Sequence, residues 1–292
     1  MPLSLLAPAL AASEFQIPID RSVIEVSVVP SAPRGVTEQE LREWVETAGR
    51  AVAAYYGTFP VPRARVRIRA GGAESISSGR TTGWSGEASI QIGVGDATTA
   101  EDLRSSWVLV HEMVHLAFPS MTGHAWIEEG VATYVEPLIR ARAGLISPDE
   151  IWRWLLWGAP RGLRGIEKEG LEESRGWAAT YWGGAVFCLF ADVEIRQRTS
   201  NRSSLDDSLR GIVRAGGNVT ATWPIAKVIE IGDQATGVPV LRELYARLGR
   251  DPANVELQEL WRKLGVSAEG PRIVYDDRAP LAAVRHGITT GK

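Results

Sequence analysis

The sequence predicts an α+β fold from three observations. Strand-like alternation of apolar and polar residues is confined to the chain before residue 95, helical spacing fills most of the chain beyond it, and no internal repeat or low-complexity tract intervenes. At 292 residues, 45% hydrophobic and 23% charged, the chain can bury a sizeable core, which excludes a disordered or fibrous protein. Two lobes of one unit are expected, an α+β lobe over residues 16–120 and a mainly helical lobe over residues 121–292, with a cleft where they meet.

The opening stretch, MPLSLLAPALAAS, joins a short apolar run to an ALA-like cleavage pattern but lacks a basic start. Residues 1–15 therefore read as a leader or truncated signal segment, which implies a periplasmic or secreted protein and otherwise a cytoplasmic one. IEVSVVP then alternates as a strand, and Thr37 with Glu40 caps a helix through TEQELREWVETAGRAVAAYYGTF. RARVRIRA alternates as a half-exposed strand, which Gly71 and Gly72 end before a polar loop. EASIQIGVG reads as the edge strand of the sheet, with Ala88, Ile90 and Ile92 on one face and Ser89, Gln91 and Gly93 on the other. Thr98 with Glu101 reads as a second capping box, opening one continuous helix, EDLRSSWVLVHEMVHLAF, that Pro119 stops.

Helical spacing returns in WIEEGVATYVEPLIRARAG, and Ser147, Pro148 and Glu150 start the Trp-rich helix IWRWLLW. Trp152, Trp154 and Trp157 on its neighbouring turns read as core rather than substrate wall. RGWAATYWGGAVFCLFADVEIRQRT, LDDSLRGIVRAG, VPVLRELYARLG and NVELQELWRKLG read as further helices joined by turns. A net charge of -3 with both signs interspersed offers no basic stripe for nucleic acid or an anionic membrane. The one cysteine, Cys188, lies in the apolar run AVFCLFA and reads as a core thiol. No segment reaches the roughly 18 uninterrupted apolar residues of a membrane span.

The chemistry is concentrated in His111-Glu112-Met113-Val114-His115, an HExxH string. Histidines four residues apart rise from one helix face and can share a zinc ion, and Glu112 beside them suits a general base. The bland alternative is a helix with two part-buried histidines and a surface glutamate. A third protein ligand is required. The metzincin spacing is excluded, because Phe118 stands where its glycine belongs and Met121 where its histidine belongs. The adjacent carboxylates Glu128 and Glu129 and the loop histidine His124 remain as candidates. The His2Glu set favours Zn2+ on ligand type.

Trp126, Glu129, Gly130 and Tyr134 form a W-x-x-E-G-x-x-x-Y string, and Tyr181-Trp182-Gly183-Gly184 contains a Y-x-x-G string. On these motifs the chain resembles the gluzincin zinc metallopeptidases, namely the aminopeptidase N-like and, more nearly, the glycyl aminopeptidase families. The resemblance covers residues 80–215 and fades at both ends; the interval from His115 to Glu129 is shorter than is usual there. It implies a thermolysin-like catalytic domain, a small mixed sheet with an edge strand over the zinc helix and then a mainly helical lobe. It further implies metal ligands His111, His115 and Glu129, with Glu112 as general base and Tyr181 as oxyanion donor. Glu128 would then point away, to solvent or to a polar neighbour behind the ligands, and Glu87 would be either a holder of the substrate amine or a turn carboxylate.

The function expected is metal-assisted hydrolysis of a peptide or protein substrate, with aminopeptidase action as one form of it, and without nucleic acid or a membrane span. Two other readings stand beside it: a zinc-bearing binding or scaffold module, and a maturation protease of narrow specificity. A purely structural zinc needs no general base, so Glu112 weighs against the scaffold. His286 near the C-terminus is unassigned and reads as a solvated surface residue.

Overall fold

A computed structural model describes residues 13–30, 33–72 and 75–291. Most of the expected leader lies outside the described residues, but Ser13–Phe15 belong to the first strand. Five strands, β1 (Ser13–Ile19), β2 (Ser22–Val29), β3 (Arg63–Ala70), β4 (Ile76–Thr82) and β5 (Ala88–Val94), form one mixed sheet in the order β1-β2-β3-β5-β4. The outer pairs are antiparallel, whereas β2 to β3 and β3 to β5 are parallel. On the inner face Ile24, Val26, Val66, Ile68, Ile90 and Ile92 are almost fully buried, and β3 turns Arg63, Arg65, Arg67 and Arg69 outward. This is the period-two pattern of the sequence expressed as a half-buried sheet.

Helix α1 (Glu38–Tyr56) packs on that inner face, and its start is the expected box: the Thr37 amide donates to Glu40 at 2.7 Å, and the Glu40 amide to Thr37 Oγ1 at 3.2 Å. The second box differs from the expected Thr98 and Glu101. It is Thr99 with Asp102, because the Thr98 hydroxyl is buried and donates to the Ser75 carbonyl instead. The single helix expected there is two, α2 (Ala100–Ser105) and α3 (Val108–Leu116). Ser106 adopts extended torsions, φ -64° and ψ 131°, and its Oγ accepts the Val108 amide at 3.3 Å, so a serine side chain replaces the helical bond.

EASIQIGVG is not the edge strand. β5 lies between β3 and β4, and the edge is β4, ISSGRTT, which reads from sequence as loop. An edge strand with few apolar side chains has no hydrophobic alternation to betray it.

The remainder is helical: α4 (Ala125–Arg142), α5 (Pro148–Glu169), a π-helical turn (Ala179–Gly183), α6 (Gly184–Thr199), α7 (Leu205–Arg214), α8 (Ile225–Thr236), α9 (Val240–Leu248) and α10 (Leu257–Leu264). A hairpin of β6 (Val266–Glu269) and β7 (Arg272–Tyr275) and a last helix, α11 (Ala282–Thr290), complete it. Cys188 is buried in α6. No described helix is long and apolar enough to cross a membrane.

Two buried carboxylates bind these helices together. Asp206 on α7 accepts from Tyr55 of α1 at 2.7 Å and from Arg142 of α4 at 2.6 Å, while Arg142 also donates to the Ile288 carbonyl of α11 at 2.6 Å. Asp192 on α6 accepts from Tyr134 at 2.9 Å, Arg196 at 2.9 Å and the Leu205 amide at 3.0 Å. Removing one partner of a buried pair leaves the other charge uncompensated. Asp206→Ala is expected to destabilise the protein by about 3 kcal/mol or more, read from urea unfolding midpoints; a change below about 1 kcal/mol would show the network to be dispensable.

Candidate metal centre and active-site cleft

Helix α3 carries His111 and His115 one turn apart on the face turned towards α4, and α4 supplies Glu129. Glu129 Oε2 lies 3.3 Å from His111 Nε2 and 3.4 Å from His115 Nε2. Among the described residues these three form the group of His, Cys, Asp or Glu able to hold an ion, with ligand atoms all within 4.8 Å of one another. Ligands at zinc's usual bond lengths on a tetrahedron are about 3.3 Å apart. The two nitrogens and one carboxylate oxygen therefore fit that ion in type, and both distances from Glu129 to the histidines fit it in spacing. Burial would raise the Glu129 carboxyl, but the hydrogen bonds and charge of His111 and His115 outweigh it and hold the group well below the usual range. Burial would lower His115, and the bond to Glu129 with the carboxylate charges overcomes that and raises it.

Two close backbone approaches set the other members. A β-carbon on Gly79 of β4 would fall 2.4 Å from Glu112 Cγ, so glycine there lets the edge strand cross directly over the Glu112 side chain. Two residues on, the Thr81 hydroxyl lies 2.6 Å from Glu112 Oε2 and 2.8 Å from the Glu112 carbonyl, fixing the carboxylate from above. A β-carbon on Gly130 would lie 2.3 Å from the main chain of Gly184, so α4 and the start of α6 meet backbone to backbone. That contact brings the turn bearing Tyr181 against Glu129, and the Tyr181 ring stacks on His111 with centroids 6.1 Å apart. Burial, followed by the charge and hydrogen bond of Glu129, pushes the Tyr181 phenol up to about 12, so it stays a neutral donor at ordinary pH.

Glu112, His115, Glu129 and Tyr181 line a cleft of about 690 Å³, where they face the segment from Gly79 to Trp84, while His111 is buried beside it. Trp84 stands on its lip, 84% exposed. The rival ligand His124 lies elsewhere, its Nδ1 2.8 Å from Glu172 Oε2. Glu128 does not point to solvent: it lines the cleft, accepts the Met121 amide at 2.8 Å, and is raised by burial. Glu87 sits outside on the sheet, paired with Arg65 at 2.5 Å. His286, exposed on α11, pairs with Asp277 at 3.2 Å. Of the three helix tryptophans, Trp152 is buried, Trp154 packs on Trp182 at 4.8 Å, and Trp157 is 47% exposed. Gly79 and Thr81 escape sequence reasoning; the β-branched pair Thr81-Thr82 is the one strand signal in their segment.

No protein-family model matches the chain, and no curated protein matches it by sequence. Solved structures do. An aminopeptidase N family protein from Idiomarina loihiensis superposes with a TM-score of 0.64 at 14% identity, over 87% of this chain and 49% of that one. The fold is similar to that of this aminopeptidase N family protein. An M1 zinc metallopeptidase from Deinococcus radiodurans gives a TM-score of 0.51 at 15% identity, over 84% of this chain and 53% of that one. A mutant of the Deinococcus radiodurans protein bound to a Tyr-Ser-Ala substrate gives 0.50 at 15% identity, over 83% and 54%. The chain thus spans about half the length of these neighbours, and at such identity the likeness is one of fold.

Behind His111, Glu136 of α4 is buried and bonded to Arg140 at 3.0 Å. Burial pushes its carboxyl up to about 7 against the pull of Arg140. An acid raised in the fold stabilises it only while protonated, so this contribution is full below pH 4.5 and is lost as pH rises towards 7. Glu136→Gln should flatten the pH dependence of unfolding free energy across that window, and an unchanged slope would refute the assignment. Glu129→Ala should lower zinc affinity on the order of 100-fold or more while His124→Ala leaves it near the parent value, measured by competition with a chromogenic chelator; the reverse order would move the third ligand to the loop.

Proposed function

We propose that the chain is a zinc-dependent peptidase of the gluzincin type, with a thermolysin-like arrangement of edge strand and zinc helix and with His111, His115 and Glu129 as the metal ligands. The observation that carries this reading is the meeting of that ligand set, His115 and Glu129 lining the cleft and His111 buried beside them, with a fixed carboxylate, Glu112, and a neutral phenol, Tyr181. Bound there, zinc would act as a Lewis acid on the scissile carbonyl and make the attacking water more acidic.

The chain's own residues supply the remaining steps. The peptide lies along β4, whose outer edge has main-chain groups free to pair with it. Glu112 takes a proton from the water as its oxygen joins the carbonyl carbon, then delivers it to the amide nitrogen as the C–N bond breaks. Thr81 holds Glu112 in place for both transfers. Tyr181 donates to the carbonyl oxygen as that oxygen gains charge. The M1 zinc metallopeptidase fold of the neighbours supports peptide hydrolysis, and aminopeptidase action is the form of it that their names suggest.

The test is hydrolysis of a peptide mixture, with free and blocked amino termini, by zinc-loaded protein. Chelation should abolish cleavage. Glu112→Gln should keep its zinc and lose about 100-fold or more in rate, and Tyr181→Phe should lose about 100-fold in kcat with a smaller change in KM. A parent that holds zinc but cleaves none of the peptides would favour the scaffold or narrow maturation reading.

A further inference from the structure

At one end of the cleft Gly83 packs so tightly on Val219 that a β-carbon there would lie 1.7 Å from the Val219 carbonyl oxygen. The wall beyond is main chain bonded to main chain: Leu116 accepts from the Val219 amide at 3.2 Å, Ala221 from Ser120 at 2.9 Å, and Ser120 from Trp223 at 3.1 Å. Ser120 and Thr222 face each other across a parallel bridge and line the cleft together with Phe118 and Val219. Next to this wall stands Glu128, one oxygen fixed by the Met121 amide.

The other carboxylates of the cleft are engaged, Glu129 by His111 and His115 and Glu112 by Thr81. The arginine of the cleft lining, Arg80, is aligned with exposed Gln91 on the outward face of β4. Glu128 is therefore a part-buried carboxylate of the cleft lining, held through one oxygen by the Met121 amide, with His115, Glu129 and His124 as the charged groups that act on it.

We propose that Glu128 binds a cationic group of the peptide, an ammonium or guanidinium, on the residue seated against Ser120 and Thr222; this rests on the peptidase reading above. An aliphatic stem would lie on Phe118 and Val219, and the two hydroxyls would take the N–H groups that Glu128 leaves over. The group is supplied either by a lysine or arginine side chain or by the free amino terminus of the peptide.

Calorimetric titration of tripeptides separates these sources without requiring turnover. Lysine is compared with norleucine at each position in turn, and free with acetylated amino termini, against the protein with and without zinc. At least one cationic peptide should bind about tenfold tighter than its neutral counterpart, and the ratio should fall to about one in Glu128→Gln, whose amide oxygen still accepts from Met121. A gain confined to lysine assigns a side chain; one confined to the free terminus assigns the terminal ammonium. Equal binding by the parent, or a ratio unchanged in Glu128→Gln, overturns the proposal. Because the parent's ratio is itself decisive, a misfolded variant does not rescue the idea. A full ratio without any hydrolysis supports Glu128's role while counting against a general peptidase, so the two readings fail separately.

Discussion

The site depends on how closely two backbones approach at Gly130 and Gly184. Each glycine follows a chemically important residue at fixed distance: Gly130 comes directly after Glu129, and Gly184 lies one turn beyond Tyr181. With no β-carbon on either helix, α4 and α6 touch main chain to main chain, and a single packing contact sets the carboxylate, the phenol and the ring of His111 together. A methyl at either position would push the helices apart by more than the tolerance of such a site, which is about half an ångström. The sequence motifs W-x-x-E-G and Y-x-x-G are thus two halves of one steric device.

The edge strand repeats the logic from above. Gly79 leaves room for Glu112, and Thr81 then binds both the side chain and the carbonyl of the same residue. Positioning by rigid elements rather than mobile loops suits the role proposed for Glu112, in which its carboxylate would meet a water in one orientation. The buried pairs around Asp192 and Asp206 hold the scaffold beneath, linking α4 to α1, α7 and α11. The C-terminal region therefore buttresses the helix that carries Glu129.

The legible part of the sequence is whatever leaves a periodic or chemical trace. The α1 capping box, the alternation of RARVRIRA and the HExxH string all state their geometry in residue types at set intervals. The rest has no such trace. β4 is polar after Ile76 and shows no apolar alternation, so its β-branched Thr81 and Thr82 alone do not separate it from a loop, and β5 reads as the edge in its place. The split between α2 and α3 turns on the Ser106 side chain outcompeting a helical bond, which spacing alone does not reveal. The π-helical turn holding Tyr181 adjoins the tertiary contact at Gly184, and spacing in the sequence announces neither. Helix α8, the β6–β7 hairpin and α11 are short elements with too few apolar residues to stand out by spacing, and α11 packs on α4 and α6, which are distant in sequence.

The brevity of α3 has a thermodynamic corollary. At 9 residues it is well under the length at which an isolated helix persists in water, and Ser106 denies it any extension into α2. The alignment of His111 with His115 is consequently borrowed from tertiary structure. Ion affinity and global folding are thus reciprocal quantities: each decade of binding preference for the native ensemble over the unfolded one adds about 1.4 kcal/mol to its stability once the site is saturated, and loss of the surrounding core dissolves the chelate with it.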